Sequence, residues 1–239
     1  MRPAHVARRP VRSIGVVTRV HDPRGRPVLP GSGAERLLDA AERLFACKGF
    51  AGPSLREITL AAGHRNASAV AYHFVDRQGL LDAVWQRRTQ LTNARRSQLL
   101  QGIERTGRAG DLRALVEAHV LPLTEEMARH DRSYWARLNE ARLAELPLDF
   151  VPAVAADLER FPGSVPLNVL LTLLGHLRDA VARDHPEAAS LRVALSVRFV
   201  VAGLAAWERD VEAGRCTQDG LPAYADEIVG AAVALLGAP

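Results

Sequence analysis

Between positions 63 and 74 the chain reads Gly-His-Arg-Asn-Ala-Ser-Ala-Val-Ala-Tyr-His-Phe. A knot of short polar residues gives way to a run of small side chains that ends in a phenol and an imidazole. These types suit recognition of something the backbone itself must approach. Small side chains let a helix sink into a DNA major groove, where a bulky residue would hold it off the base edges. Tyr72 and His73 at its end can then reach phosphates or bases. The plainer reading of His73 is a helix-end imidazole bonded within its own protein.

Catalytic chemistry has no comparable support. The sequence contains no nucleophile elbow, no glycine-rich phosphate loop and no His-Glu-x-x-His, and no Glu-x-x-His pair of the kind that builds a di-metal bundle. Cys47 and Cys216 are far apart and belong to no CxxC, so a metal or redox motif is missing too. Both are expected to be buried thiols in a reducing compartment. No catalytic residue, metal ligand or cofactor is assigned.

Stepping outward, the helices that would position residues 63–74 are marked by their own start and stop signals. Ser32 stands three residues before Glu35, a capping-box spacing. Leu37, Leu38, Ala41, Leu44 and Phe45 then repeat at helical intervals until Gly49, and Phe50 is placed to fold back on that glycine-ended helix. A second capping box, Ser54 to Glu57, opens a short helix with Leu55, Ile58 and Ala62 on one side. Gly63 ends it, a third helix is predicted from about Ala67 to Phe74, and Asp76 caps a fourth with the stripe Leu80, Leu81, Val84 and Trp85. Two short helices joined by a tight glycine-containing turn behind a scaffold helix make a helix-turn-helix.

Residues 37–84, LLDAAERLFACKGFAGPSLREITLAAGHRNASAVAYHFVDRQGLLDAV, resemble the tetracycline-repressor (TetR) family of bacterial transcription regulators. The ensemble carries the resemblance: L-x-x-A-x-x-L-F-x-x-x-G-F, S-x-R-x-I, A-A-G, Y-H-F and a capped helix with paired leucines. It implies that Ser54 and Arg56 lie near one phosphate strand, that Tyr72 and His73 close the recognition helix, and that Arg77 clamps a phosphate at the start of the fourth helix. A surface ion pair is the alternative for Arg56. The turn or the start of the recognition helix is one residue longer than the family pattern. Arg65, Asn66, Ala67, Ser68 and Ala71 therefore all stand as positions that could face DNA.

Charge is distributed unevenly. Residues 1–32 hold seven arginines against Asp22 alone and are punctuated by five prolines, which reads as a flexible basic arm. Such an arm either touches a polyanion or is a solvated leader. The IGVV after the cationic start is too short for a signal-peptide core, and no stretch of membrane-spanning length is free of charge. A cytoplasmic protein with no membrane partner is expected.

Beyond Leu91 no motif of similar weight occurs. Asn93 to Ile103 prolongs the fourth helix. Leu112, Leu115, Val116, Val120 and Leu123 share a face with His119, and Pro122 should kink or end that helix. A further helix is expected through residues 133–145, and residues 147–166 form proline-punctuated short turns or helices. Three apolar segments follow at 167–181, 191–207 and 225–236. No strand alternation survives, so the expected fold is all-α: an N-terminal three-helix helix-turn-helix DNA-binding domain (33–80) plus a larger C-terminal helical ligand-binding and dimerisation domain (81–239), after the arm.

The last two segments are apolar on more than one face, with small residues Ala202, Gly203, Ala205, Gly230, Ala231 and Ala232 among them. An intramolecular core or a two-fold dimer interface would bury the extra face. The resemblance implies the dimer, a double-stranded DNA operator as partner, and a pocket for a small-molecule effector. Its candidate lining is Trp85, His119, Tyr134, Trp135, Leu138 and His176, with His119 foremost because an imidazole among aliphatic side chains needs a partner.

Overall fold

The computed structural model describes residues 27–64, 66, 68–151 and 168–239. Among them are nine α-helices, one short 3₁₀ turn and no β-strand. The first three helices form a compact unit: α1 (Gly33–Lys48), α2 (Leu55–Ala61) and α3 (Ser68–Phe74). Leu37, Leu38, Ala41, Leu44 and Phe45 of α1 are all buried, against Ile58, Val70 and Phe74 from the two short helices. Phe50 folds back as the spacing predicts, its ring 5.8 Å from that of Phe45.

Both predicted capping boxes form their serine half, each with one difference. The Ser32 hydroxyl accepts from the Glu35 amide at 3.2 Å and that of Ser54 from Glu57 at 3.1 Å. The reciprocal halves go elsewhere. Glu35 accepts from the Gly31 amide, and Glu57 pairs with Lys48 at 2.5 Å. The Ser32 amide is already donated to the Leu29 carbonyl, so it has nothing left to offer Glu35.

The fourth helix, α4 (Arg77–Arg105), runs unbroken for 29 residues across position 80, so the two units are joined by one continuous helix and no linker. It packs on α1 and on α5 (Leu112–Met127). Of the two outcomes expected at Pro122, an end of the helix does not occur: α5 continues to Met127. The proline removes one hydrogen bond to the preceding turn. Burial of Val120, Leu123 and Met127 on either side of it holds the helix together. Cys47 is a second correction: it is exposed, because it falls off the inward stripe of α1, and Cys216 is half-buried.

Helix α6 (Trp135–Ala144) is followed, after the described segment to Val151, by α7 (Asn168–Val181), α8 (Ala189–Glu212) and α9 (Leu221–Gly237). The proline-punctuated stretch expected at 147–166 lies mostly outside the described residues, as do residues 1–26 of the arm. Helix α8 holds α6 at both ends. Glu208 accepts from the amides of Ala136 (3.0 Å) and Arg137 (2.9 Å), and Arg198 donates to the carbonyls of Leu143 (2.8 Å) and Leu146 (3.1 Å). A carboxylate thus meets the free amides and a cation the free carbonyls of one short helix.

Gly203 leaves room for the Ile228 side chain between the last two helices: a Cβ there would lie 2.5 Å from Ile228 Cδ1, and its carbonyl accepts from the Tyr224 hydroxyl at 3.0 Å. By length and composition α8 and the span Gln218–Gly237 are apolar enough to cross a membrane. Here their buried faces instead pack on α5, α6, α7 and each other.

Val75, between α3 and α4, has φ +70°. A β-branched side chain in that region is held there at a cost of about 1–2 kcal/mol. Its side chain is 55% exposed, so little packing opposes the strain. Val75→Gly is expected to raise stability by about 1 kcal/mol, read as a higher urea midpoint at an unchanged slope; an unchanged or lower midpoint counts against strain at this turn.

Candidate nucleic-acid interface and interior cavity

The outer surface of the three-helix unit is formed by α2, α3 and the turn between them. Gly63 makes that turn with φ +74°. Asn66 caps α3, its side-chain oxygen accepting from the Ser68 amide at 3.0 Å. Ser54, Arg56, Asn66, Ser68, Ala71 and Tyr72 are all exposed on this unit. Arg65 and Ala67, expected to face DNA, lie outside the described residues. Arg56 makes no ion pair with a described carboxylate.

The two rings at the end of α3 part company. Tyr72 is 56% exposed and meets the His73 ring edge-on, centroids 4.8 Å apart. His73 is half-buried and lies beside Gly33 at the start of α1, where the His64 ring also approaches the Gly33 carbonyl at 3.1 Å. A Cβ at Gly33 would come within 2.8 Å of the His64 ring, which would then have to shift. Tyr72 is the ring that projects.

Arg77 differs from the phosphate clamp expected of it. Its guanidinium turns inward, donates to the carbonyls of Phe50 and Pro53 and lies 5.2 Å from the Phe45 ring centre. The loop leading into α2 leaves those carbonyls without helical partners, and the cation satisfies them. Arg77 therefore fixes the approach to α2 from the first turn of α4.

Behind this unit, α4, α5, α6, α7 and α8 line a partly open cavity of about 650 Å³. Trp85, His119 and Trp135 line it, and the two indoles meet edge-on at 5.1 Å. The other three candidates do not. Leu138 is fully buried in the core. Tyr134 lies on a separate polar recess and donates to Glu212 at 3.2 Å. His176 sits 3.6 Å from the Glu104 carboxylate. Helical phase explains the split: Trp135, Asn139, Arg142 and Leu143 share the cavity face of α6, and Tyr134 and Leu138 are turned from it.

The residues missed in the sequence are Thr89, Thr92, Asn93 and Arg96, which continue the Leu81–Trp85 stripe of α4 at intervals of three and four and line the cavity with polar groups. Arg96 is 3% exposed; it donates to Asn93 Oδ1 at 2.6 Å, its Nε has no partner, and no described carboxylate pairs with it. Burial pulls its pKa down to about 10. His119 is 5% exposed with neither ring nitrogen hydrogen-bonded. Burial, and then the Arg96 charge, lower its pKa to about 3. Among the described residues no group of histidine, cysteine and carboxylate side chains could hold a metal ion.

The His119 shift has a sign that can be measured. The unfolded chain takes up this proton near the ordinary 6.5 and the folded protein only near about 3. Over that interval the unfolded state binds more protons, so stability is lost as pH falls below 6.5. The melting temperature of His119→Leu is expected to decline less than that of the wild type between about pH 7 and pH 5; parallel declines would show that this imidazole is not held neutral.

Residues 37–84 match the family model described as bacterial regulatory proteins, tetR family. The whole structure is similar to that of the fatty acid degradation regulator FadR from Bacillus halodurans, with a TM-score of 0.52 at 16% identity, covering 88% of this chain and 98% of that one. A transcriptional regulator (TerR/AcrR family) from Aquifex aeolicus VF5 gives 0.44 at 15% identity over 84% and 97% of the two chains. A putative TetR-family transcriptional regulator from Rhodococcus sp. gives 0.41 at 18% over 86% and 98%. Comparison with curated protein sequences gives no significant match. The all-α fold, with its helix-turn-helix and larger helical body, is thus shared with a regulator of known structure, and residues 37–84 are similar to the tetR family of bacterial regulatory proteins.

Proposed function

We propose that the protein is a homodimeric, ligand-responsive regulator that binds a pseudo-palindromic DNA operator through α2 and α3 and is released when a small molecule occupies the cavity. The observation that carries this reading is the placement of Arg77. It belongs at once to the cavity wall and to the loop that sets α2, so a change in the cavity reaches the DNA-facing helices through one side chain. A ligand that prefers a different setting of α4 shifts the population away from the DNA-bound arrangement, by no more than its difference in affinity for the two. A repressor is the reading favoured by the family resemblance, and no catalytic role is assigned.

The dimer rests on α8. Leu191, Leu195 and Phe199 follow each other at four-residue steps, are each more than a third exposed, and are continued along the same face by exposed Ala202 and Ala206. The small residues of the last two helices divide accordingly. Gly203, Ala205 and Ala232 serve contacts within the chain, and Ala202 and Ala231 face outward. A continuous outward apolar stripe is covered most simply by the same stripe of a second copy. Two recognition helices about 34 Å apart would then match successive turns of one DNA face.

Selection from a randomised duplex pool at near-physiological salt tests DNA recognition directly. A two-fold symmetric motif is expected, and Tyr72→Ala should weaken its binding by an amount on the order of 1 kcal/mol or more while leaving the fold intact. Retention without a motif would reduce the interaction to charge, and no retention would favour a helical interaction protein without sequence-specific DNA binding. For the dimer, sedimentation at micromolar concentration should give a dimer for the wild type and a monomer for Phe199→Glu; a monomeric wild type removes the α8 interface.

A further inference from the structure

We infer that the cavity selects an anionic ligand, an apolar molecule carrying one carboxylate, and that Arg96 is the residue that receives its charge. This rests on the reading of the cavity as a ligand site and adds the ligand's chemical class. A guanidinium is almost never this deeply buried without an anion, because moving a charge out of water costs several kcal/mol unless a partner compensates it. Other buried arginines here obey that rule. Arg88 has Glu42 and Glu126, at 2.7 and 2.9 Å, and Arg137 has Glu212 at 2.7 Å. Arg96 alone among these three meets only a neutral amide, Asn93, and it does so on the cavity wall.

Its neighbours fit the same occupant. His119, on the opposing α5, presents two ring nitrogens with no protein partner, and the Trp135 indole N–H is also buried without an acceptor. All three residues line the cavity, so three residues with unmatched polar atoms border one partly open space. Every one of them can donate a hydrogen bond, which is what a carboxylate accepts; the planar guanidinium suits it in particular. The remaining wall is largely aliphatic and aromatic, including Leu123, Leu174 and Trp85, and calls for an apolar body behind the head group. One uncompensated cation implies one negative charge.

The test uses matched probes on the full-length dimer: alkyl and naphthyl skeletons of several lengths, each as carboxylate, carboxamide and primary amine, titrated while following the fluorescence of Trp85 and Trp135. The carboxylate of any skeleton that binds should do so at least tenfold more tightly than its carboxamide, with the amine weakest. Arg96→Met should erase that preference and keep the carboxamide affinity. It should also raise the melting temperature of the ligand-free protein, since it removes a buried charge that no described carboxylate neutralises. A fold that fails in Arg96→Met would be recognised by that melting curve, and Arg96→Lys, which keeps a charge but not the fork, should then retain part of the preference. If carboxamides and carboxylates bind alike, the cavity is a ligand site but not an anion site, and the inference is wrong. If no skeleton binds in any form, the reading of the cavity as a ligand site fails with it.

Discussion

The guanidinium of Arg88 ties the two halves of the molecule together. It stands on α4 and reaches Glu42 of α1 on one side and Glu126 of α5 on the other, with Arg87 adding a second bond to Glu42 at 2.6 Å. All three central residues are buried. Burial by itself would drive a carboxyl upward and a guanidinium downward, but the mutual charges and hydrogen bonds outweigh it. Glu42 and Glu126 are both held below the ordinary carboxylate range, and Arg88 is held above its own. Such a cluster adds little net stability over an apolar core, yet losing one member strands the others and is strongly destabilising. Its use is geometric: it sets how the three-helix unit sits on the body.

A second connection joins the same elements by another route. Helix α8 grips α6 end to end through Glu208 and Arg198, and α6 lies against α1, where Arg137 comes within 3.9 Å of the Cys47 sulfur. The cavity face of α6 is therefore fixed from behind by the helix that carries the outward apolar stripe. Burial pushes the Glu208 carboxyl upward even though two backbone amides and Arg137 oppose it, a sign of how little water reaches this contact. Cavity, apolar stripe and three-helix unit thus share two mechanical links, one through α4 and one through α6. A ligand that moves either helix has a physical path to the other end of the protein.

Arg88 and Arg96 look alike in sequence, two arginines on the inner side of one helix. Their fates differ because of what lies opposite. Two turns of α4 separate a position facing carboxylates on α1 and α5 from one facing a hollow and a neutral imidazole. The first arrangement builds structure, and the second leaves an electrostatic demand that a ligand can meet.

The helices and their order were legible in the chain because each start and stop is written locally, in Ser32, Ser54, Asp76 and the glycines that follow, and because the apolar residues of α1 and α4 recur at helical intervals. The helix-turn-helix and the projecting Tyr72 follow from the same short-range chemistry. Tertiary contacts decided the rest. Pro122 does not break α5 because packing on both sides outweighs one lost hydrogen bond. Arg77 turns inward because two carbonyls from a loop 24 and 27 residues earlier in the chain need a donor there. Tyr134 and Leu138 miss the cavity and Asn139 lines it, a matter of which face of α6 is pressed against α8. The isolation of Arg96 is the clearest case: sequence determines that a cation sits at that step of the helix, but whether a carboxylate answers it depends on residues brought close only by folding.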